Sequence, residues 1–162
     1  MNLNSMKRIA IFVDVQNIYY TTRQIFGRPF NYRAFWQQAG QLGEIVSANA
    51  YAIDRGDPQQ QKFQDALRHI GFNVKLKPYI QRADGSSKGD WDVGIAVDAM
   101  LVAGEVDQII LLSGDGDFDL LLQTLRERYQ VFSHVYSVPN LTAQSLIDSA
   151  DRWVAIDMGM LQ

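Results

Sequence analysis

The sequence predicts a doubly wound α/β domain, with a mainly parallel sheet and helices on both of its faces. Three observations carry this. Strand-like apolar runs alternate with helical stretches along all 162 residues, without repeats or low-complexity segments. The run Ile9-Ala10-Ile11-Phe12-Val13 and the later run ending Ile109-Ile110-Leu111-Leu112 are continuously apolar, the pattern of parallel strands buried on both faces. Both runs end in carboxylates, Asp14 in the first case and Asp115 with Asp117 in the second. In such sheets, ligands bind beyond the carboxyl ends of the strands.

The elements follow in order. Residues 8–14 form the first strand and residues 15–26 a helix; Tyr32 to Leu42 forms a second helix after the break at Gly27-Arg28-Pro29. Ile45 to Ile53 is a strand. Asp57-Pro58 starts a helix, because proline suits a first turn, and Gly71 stops it after Ile70. Phe72 to Pro78 alternates and is a strand. Gln81 to Lys88, polar and glycine-containing, is the most loop-like stretch. A helix opens at Asp90 or Trp91 and runs to about Ala103, with Gly104 closing it. Val106 to Leu112 is a strand, Phe118 to Tyr129 an amphipathic helix and Val131 to Val138 a strand. Leu141 to Ser149 is a short helix, and Trp153 to Ile156 a last short strand.

Length and a 47% hydrophobic content suit a single globular domain spanning residues 1–162. The formal charge is −3, a balance that by itself disfavours a polyanion partner. Setting aside Asp14, Asp92, Asp98, Asp115 and Asp117 as one acidic group, however, leaves +2 for the rest. Zero cysteines exclude disulfides, thiolate zinc sites and cysteine nucleophiles. No apolar stretch approaches membrane-spanning length and Met1 to Lys7 holds no signal core, so a cytoplasmic protein without membrane contact is expected. His69 on a helical pattern and His134 in a strand pattern give no basis for a histidine triad.

Chemistry concentrates in the acids. Asp14 and Asp115 can point into one crevice if their strands are neighbours, and Asp117 lies on the turn after Asp115. Asp92, in the first turn of its helix, is tolerated by the helix dipole and can reach across the same crevice. Clustered carboxylates repel one another, and a divalent cation is the usual reason to keep them together. Hard cations such as magnesium (Mg2+) or manganese (Mn2+) take such oxygen ligands, and a water they acidify can attack a phosphodiester. Simpler roles compete with this one. Asp14 suits a helix cap, Asp90 suits a cap better than a ligand, Asp92 suits a dipole partner and Asp119 a solvated helix position. Asp98 lies six residues after Asp92, about 120° around the helix and roughly 9 Å along it, which fits either a ligand or a buried structural acid.

Two look-alikes fail on spacing. The run Asp115-Gly116-Asp117-Phe118-Asp119 begins like an EF-hand loop, but Leu120 and Arg126 stand where glycine and glutamate are needed. A phosphoaspartyl phosphatase would carry a second aspartate where Gln16 stands. Neither a glycine-rich dinucleotide fingerprint nor a phosphate-binding Gly-Lys-Ser/Thr loop occurs, so no nucleotide cofactor is expected.

Three motifs in order, Phe-Val-Asp-Val-Gln-Asn (12–17), Lys-Gly-Asp-Trp-Asp-Val-x-x-Ala-Val-Asp (88–98) and Ser-Gly-Asp-Gly-Asp-Phe (113–118), resemble the NYN domain, of the LabA-like branch. That family is grouped with the PIN-like metal-dependent nucleases. The resemblance spans roughly residues 7–137. It implies a three-layer α/β/α sandwich with a central parallel sheet and a ribonuclease site using Mg2+ or Mn2+. Position by position it implies Asp14, Asp92, Asp115 and Asp117 as acidic ligands, Asn17 and Ser113 as polar supports, and a less defined role for Asp98.

Candidate phosphate contacts are Lys88, Arg82, Arg23, Arg28, Arg33 and Arg55, with Lys88 placed by its motif at the site mouth. Tyr19, Tyr20 and Trp91 are candidates for stacking on unpaired bases. The expected function is hydrolysis of RNA by a metal-activated water. A non-catalytic regulatory module that keeps the acidic pocket is the alternative, and DNA-directed cleavage is a weaker one. The short terminal elements over Leu141 to Ile156 are compatible with a homodimer.

Overall fold

A computed structural model describes residues 6–78, 80–81, 87–88 and 90–162, with the side chains of residues 80–81 and 87–88 excepted. Chain order is β1 (Arg8–Asp14), α1 (Val15–Phe26), α2 (Tyr32–Leu42), β2 (Glu44–Asp54), α3 (Pro58–Ile70), β3 (Asn73–Pro78), β4 (Ile80–Gln81) and β5 (Ser87–Lys88). Then come α4 (Asp92–Val102), β6 (Gln108–Leu112), α5 (Asp119–Tyr129), β7 (Phe132–Ser137), α6 (Gln144–Ser149) and β8 (Arg152–Ala155). Single 3-10 turns occupy Ala103–Glu105, Gly116–Phe118 and Met158–Met160.

Six strands form one sheet in the order β3-β2-β1-β6-β7-β8, and every neighbouring pair is parallel. From β1 the chain winds outward through β2 to β3, then returns across β1 to place β6 on its other side. Strand order therefore reverses between β1 and β6. At such a switch point the connections at the carboxyl ends diverge and leave a crevice.

The two central strands explain the unbroken apolar runs. Ile9, Ile11 and Val13 pack with Ile110 and Leu112 into a core under α1, α2 and α3, together with Ile18, Phe35 and Leu67. Ala10 and Phe12 pack with Ile109 and Leu111 on the opposite face, against Ile95 and Ala99 of α4, Leu122 and Leu125 of α5, and Leu146 of α6. Residues Ile9 to Val13 are all 0% exposed, so each of the alternating directions is apolar. The result is the three-layer α/β/α sandwich expected, with a sheet that is parallel throughout. No helix among the described residues is long and apolar enough to cross a membrane.

Local chemistry sets the helix starts. Asn31 caps α2, its side chain accepting from the Ala34 amide at 3.0 Å. Asp57 caps α3 by accepting from the Gln59 amide at 2.9 Å, with Pro58 in the first turn.

Three expected elements differ. The stretch Gln81 to Lys88 is pinned at its ends, where Ile80 pairs with Lys88 and Gln81 with Ser87 in antiparallel register. The helix expected from Leu141 begins at Gln144, because the amide of Ala143 is drawn to the Gly114 carbonyl at 3.0 Å and Thr142 Oγ1 donates to the Val138 carbonyl at 2.7 Å. Val106 lies outside the ladder; pairing between β1 and β6 starts at Ile9 and Gln108.

Candidate metal centre

β1 ends in Asp14 and β6 leads into Ser113, so the two adjacent strands deliver both residues to the switch point. α4 opens with Asp92 on the face that carries Ile95 into the core. One carboxylate oxygen from each of Asp14, Asp92 and Asp115 lies within 4.8 Å of the other two. Three separated segments thus converge on one point.

A buried hydroxyl organises this convergence. Ser113 is 0% exposed; its Oγ donates to Asp14 Oδ2 at 3.0 Å and accepts from the Asp115 amide at 3.1 Å. Asn17 Oδ1 accepts from the Gly114 amide at 2.9 Å, tying the first turn of α1 to the loop after β6. Gly114 has no room for a side chain, since a Cβ would stand 2.6 Å from the Leu141 carbonyl oxygen. Close backbone approach of this kind is a use to which glycine is suited. Asp115 Oδ1 accepts from the Asp117 amide at 2.9 Å, which caps the turn Gly116–Phe118.

Asp14 occupies the cap position of α1 but makes no capping hydrogen bond. Its carboxylate is turned to Ser113 instead. Burial pushes the Asp14 carboxyl from 3.8 up to about 6, against the Ser113 bond and the nearby Asn17 amide, while the charges of Asp115 and Asp90 add to the rise. Asp92 is pushed up to about 8, first by burial, then by side-chain hydrogen bonding with Asp115 and by the charges of Asp115, Asp90 and Asp14. Each shift has the sign of a group that resists holding an uncompensated negative charge.

The other expected residues are distributed around this centre. Asp117 is exposed and contributes its amide to the loop, and its carboxylate is not one of the three that converge. Asp98 is directed away from them: its Oδ2 accepts from Tyr51 Oη at 2.8 Å and from Lys75 Nζ at 2.7 Å. Asp90 Oδ1 accepts from the Asp92 amide at 3.3 Å, a local turn contact. Tyr20 is 52% exposed on α1. Arg28 is committed to the Gln162 carbonyl, and Arg33 is exposed on α2. Arg82 and the Lys88 side chain lie outside the described residues.

Sequence reasoning named Trp91 as a stacking ring but missed the packing around it and the lysine that covers it beside Asp92. The Trp91 indole donates to the Ala52 carbonyl at 2.9 Å and meets the Tyr51 ring edge-on at 5.3 Å. Lys77 Nζ stands 4.4 Å from the centre of the Trp91 ring and donates to the Asp90 carbonyl at 3.2 Å. The signal was present, because Lys75 and Lys77 alternate in β3 and therefore share one sheet face. His134 is buried, accounted for by Gln108 at 2.7 Å and Arg152 at 3.2 Å, and lowered to about 4 by burial and then by the Arg152 charge.

Known proteins place these observations. The family model described as the NYN domain matches residues 8–157. The low amplitude and bright protein LabA of Synechococcus elongatus is 32% identical over 158 residues, covering 93% of this chain and 84% of that protein. The crystal structure of VPA0982 from Vibrio parahaemolyticus, a protein of unknown function, superposes with a TM-score of 0.94 at 54% identity over 100% of both chains. The three motifs, the parallel sandwich and these matches agree: the chain belongs to the NYN domain family, on its LabA-like branch.

Proposed function

We propose that this domain is a ribonuclease dependent on Mg2+ or Mn2+ that hydrolyses RNA phosphodiesters with water as the nucleophile. The observation that supports this most is the meeting of Asp14, Asp92 and Asp115 within 4.8 Å, at a point where the protein alone leaves their charges poorly compensated. NYN domains belong to a nuclease superfamily, which is the class of chemistry such an acidic group serves.

The donor set fits a hard divalent cation. It consists of carboxylate oxygens from a chain without cysteine, and half-burial leaves a side open to substrate and solvent. Asp14, Asp92 and Asp115 would hold the ion. When bound, it supplies a water acidic enough to attack phosphorus and a positive charge beside the phosphate oxygens. The chain's own work is positioning. Ser113 orients Asp14 and the Asp115 backbone with one hydroxyl, and Asn17 holds the intervening amide of Gly114. Water is the nucleophile because the chain has no cysteine and His134 is held by Gln108 and Arg152. Lys88 and Arg82 are proposed to meet the phosphate backbone at the mouth of the site.

Cleavage of labelled RNAs with Mg2+ or Mn2+ tests the reading. Metal binding without turnover on any RNA would favour a regulatory module instead. A finer test separates Asp98 from the centre. Asp98→Ala is expected to lower stability by about 1–3 kcal/mol, through the lost charged hydrogen bonds to Tyr51 and Lys75, while calorimetric Mn2+ affinity stays within about twofold. A loss of about tenfold or more would bring Asp98 into the metal centre.

A further inference from the structure

A surface helix ordinarily turns charged and polar side chains to solvent, and α4 does not. Its exposed residues are Val93, Val97, Met100 and Leu101, at 74%, 51%, 36% and 72% exposure. These four fall within about 100° of helical rotation, on the side away from Ile95 and Ala99, which enter the core. The two charged residues of α4 are both drawn elsewhere: Asp92 joins the metal centre, and Asp98 is held by Tyr51 and Lys75. A helix apolar on every side is normally buried, yet no described residue of the same chain covers this face.

The spacing selects what covers it. Val93 and Leu101 each lie four residues from Val97, so the row reads alike in both directions. Such a row is a ridge of the kind that packs against a neighbouring helix. With a second copy laid antiparallel about a twofold axis at Val97, each Val97 meets its equivalent and each Val93 meets the other copy's Leu101. Met100 then stands over Gly94 of the other copy, a large side chain against a position without one. That is the self-complementarity a symmetric interface requires. The area agrees. Four side chains so exposed offer on the order of 400 Å² per copy, so a pair removes roughly 800 Å² from these alone, and the surrounding rim brings it to about the 1,200 Å² at which specific interfaces begin. A lipid surface suits α4 poorly, because membrane-bound helices carry basic polar faces and the charges here are acidic. A different protein would find no charge on this face by which to be selected.

We propose that the exposed face of α4 is the centre of a homodimer interface, in which two copies of this chain pack their α4 helices antiparallel about Val97. The interface lies on α4 and not on the short terminal elements over residues 141–156. It begins at Val93, next to the metal-centre residue Asp92, and the antiparallel pairing also opposes the two helix dipoles. The inference is independent of the ribonuclease reading and stands or falls without it.

Sedimentation equilibrium of the full chain tests it. Wild-type protein is expected at about 37 kDa, twice the 18.4 kDa of one chain. Val97→Arg sets two cations against each other at the axis and should weaken the dimer at least about a hundredfold, leaving a folded monomer by far-UV circular dichroism. Val97 is half exposed, so the change does not enter the core. Cross-linking then reads the register, since the chain has no cysteine of its own. In oxidised glutathione, Val97→Cys should form a disulfide-linked dimer with itself. Val93→Cys and Leu101→Cys should each stay unlinked alone and cross-link when mixed. Wild-type protein that is monomeric at about 100 µM, or a dimer that survives Val97→Arg, overturns the proposal. Val93→Cys linking to itself as readily as to Leu101→Cys overturns the antiparallel pairing.

Discussion

Asp115→Asn is expected to lower metal-dependent RNA cleavage by at least about a hundredfold while leaving the fold intact. Loss of a group that only orients a metal ligand typically costs 10–100-fold, and Asp115 is one of the three carboxylates that converge. The amide keeps the shape of the side chain and one oxygen, which still accepts from the Asp117 amide as Oδ1 does now at 2.9 Å. It also removes a negative charge that raises the carboxyls of Asp14 and Asp92. Metal-free melting temperature should therefore stay level or rise. Cleavage rates and thermal melts in chelator, measured on the same preparation, check both halves. Cleavage at the wild-type rate would remove Asp115 from the centre.

A second large effect is expected in how stability responds to pH and to cation. Asp14 and Asp92 hold protons more tightly in the folded protein than their ordinary 3.8, at about 6 and about 8. Their stabilising contribution is therefore complete below 3.8 and is lost as pH rises through those two values. His134 has the opposite sign: lowered to about 4 from 6.5, its contribution is complete above 6.5 and is lost as pH falls through about 4. The range above 6.5 thus isolates the acidic centre, and Asp92 dominates there. Metal-free protein should melt progressively lower as pH rises from 6.5 to beyond 8, and Asp92→Asn should flatten that slope. Mg2+ at a hundred times its Kd should raise the melting temperature by about 5–10 °C, as expected for about 2.7 kcal/mol of linkage in a domain of this size. A flat profile that ignores Mg2+ would contradict a charge-strained cation site.

Much of the fold was legible because its strongest signals were local. Ile9 to Val13 and Ile109 to Leu112 announced strands buried on both faces, and Asp57-Pro58 announced a helix start that the capping bond to Gln59 explains. The placement of Asp14 and Asp115 followed from topology, since parallel neighbours must end on the same side. What escaped depends on contacts between distant segments. Leu141 reads as helix by pattern, yet the backbone next to it is held by Gly114, more than twenty residues earlier. Asp98 and Asp92 share a helix, and only the positions of Tyr51 and Lys75 on β2 and β3 show that Asp98 faces another partner. Asp117 illustrates the same limit: spacing places it beside Asp115, but the turn that uses its amide leaves its side chain exposed.

The most direct measurement is cleavage of labelled single-stranded and structured RNAs by wild-type protein stripped of metal with chelator, then resupplied with Mg2+ or Mn2+. The account predicts no cutting after stripping, recovery with either ion, and products that end where a water has attacked a phosphodiester. Undiminished cutting in chelator would contradict the metal centre, and resupplied protein that binds the ion yet cuts no RNA would contradict the nuclease.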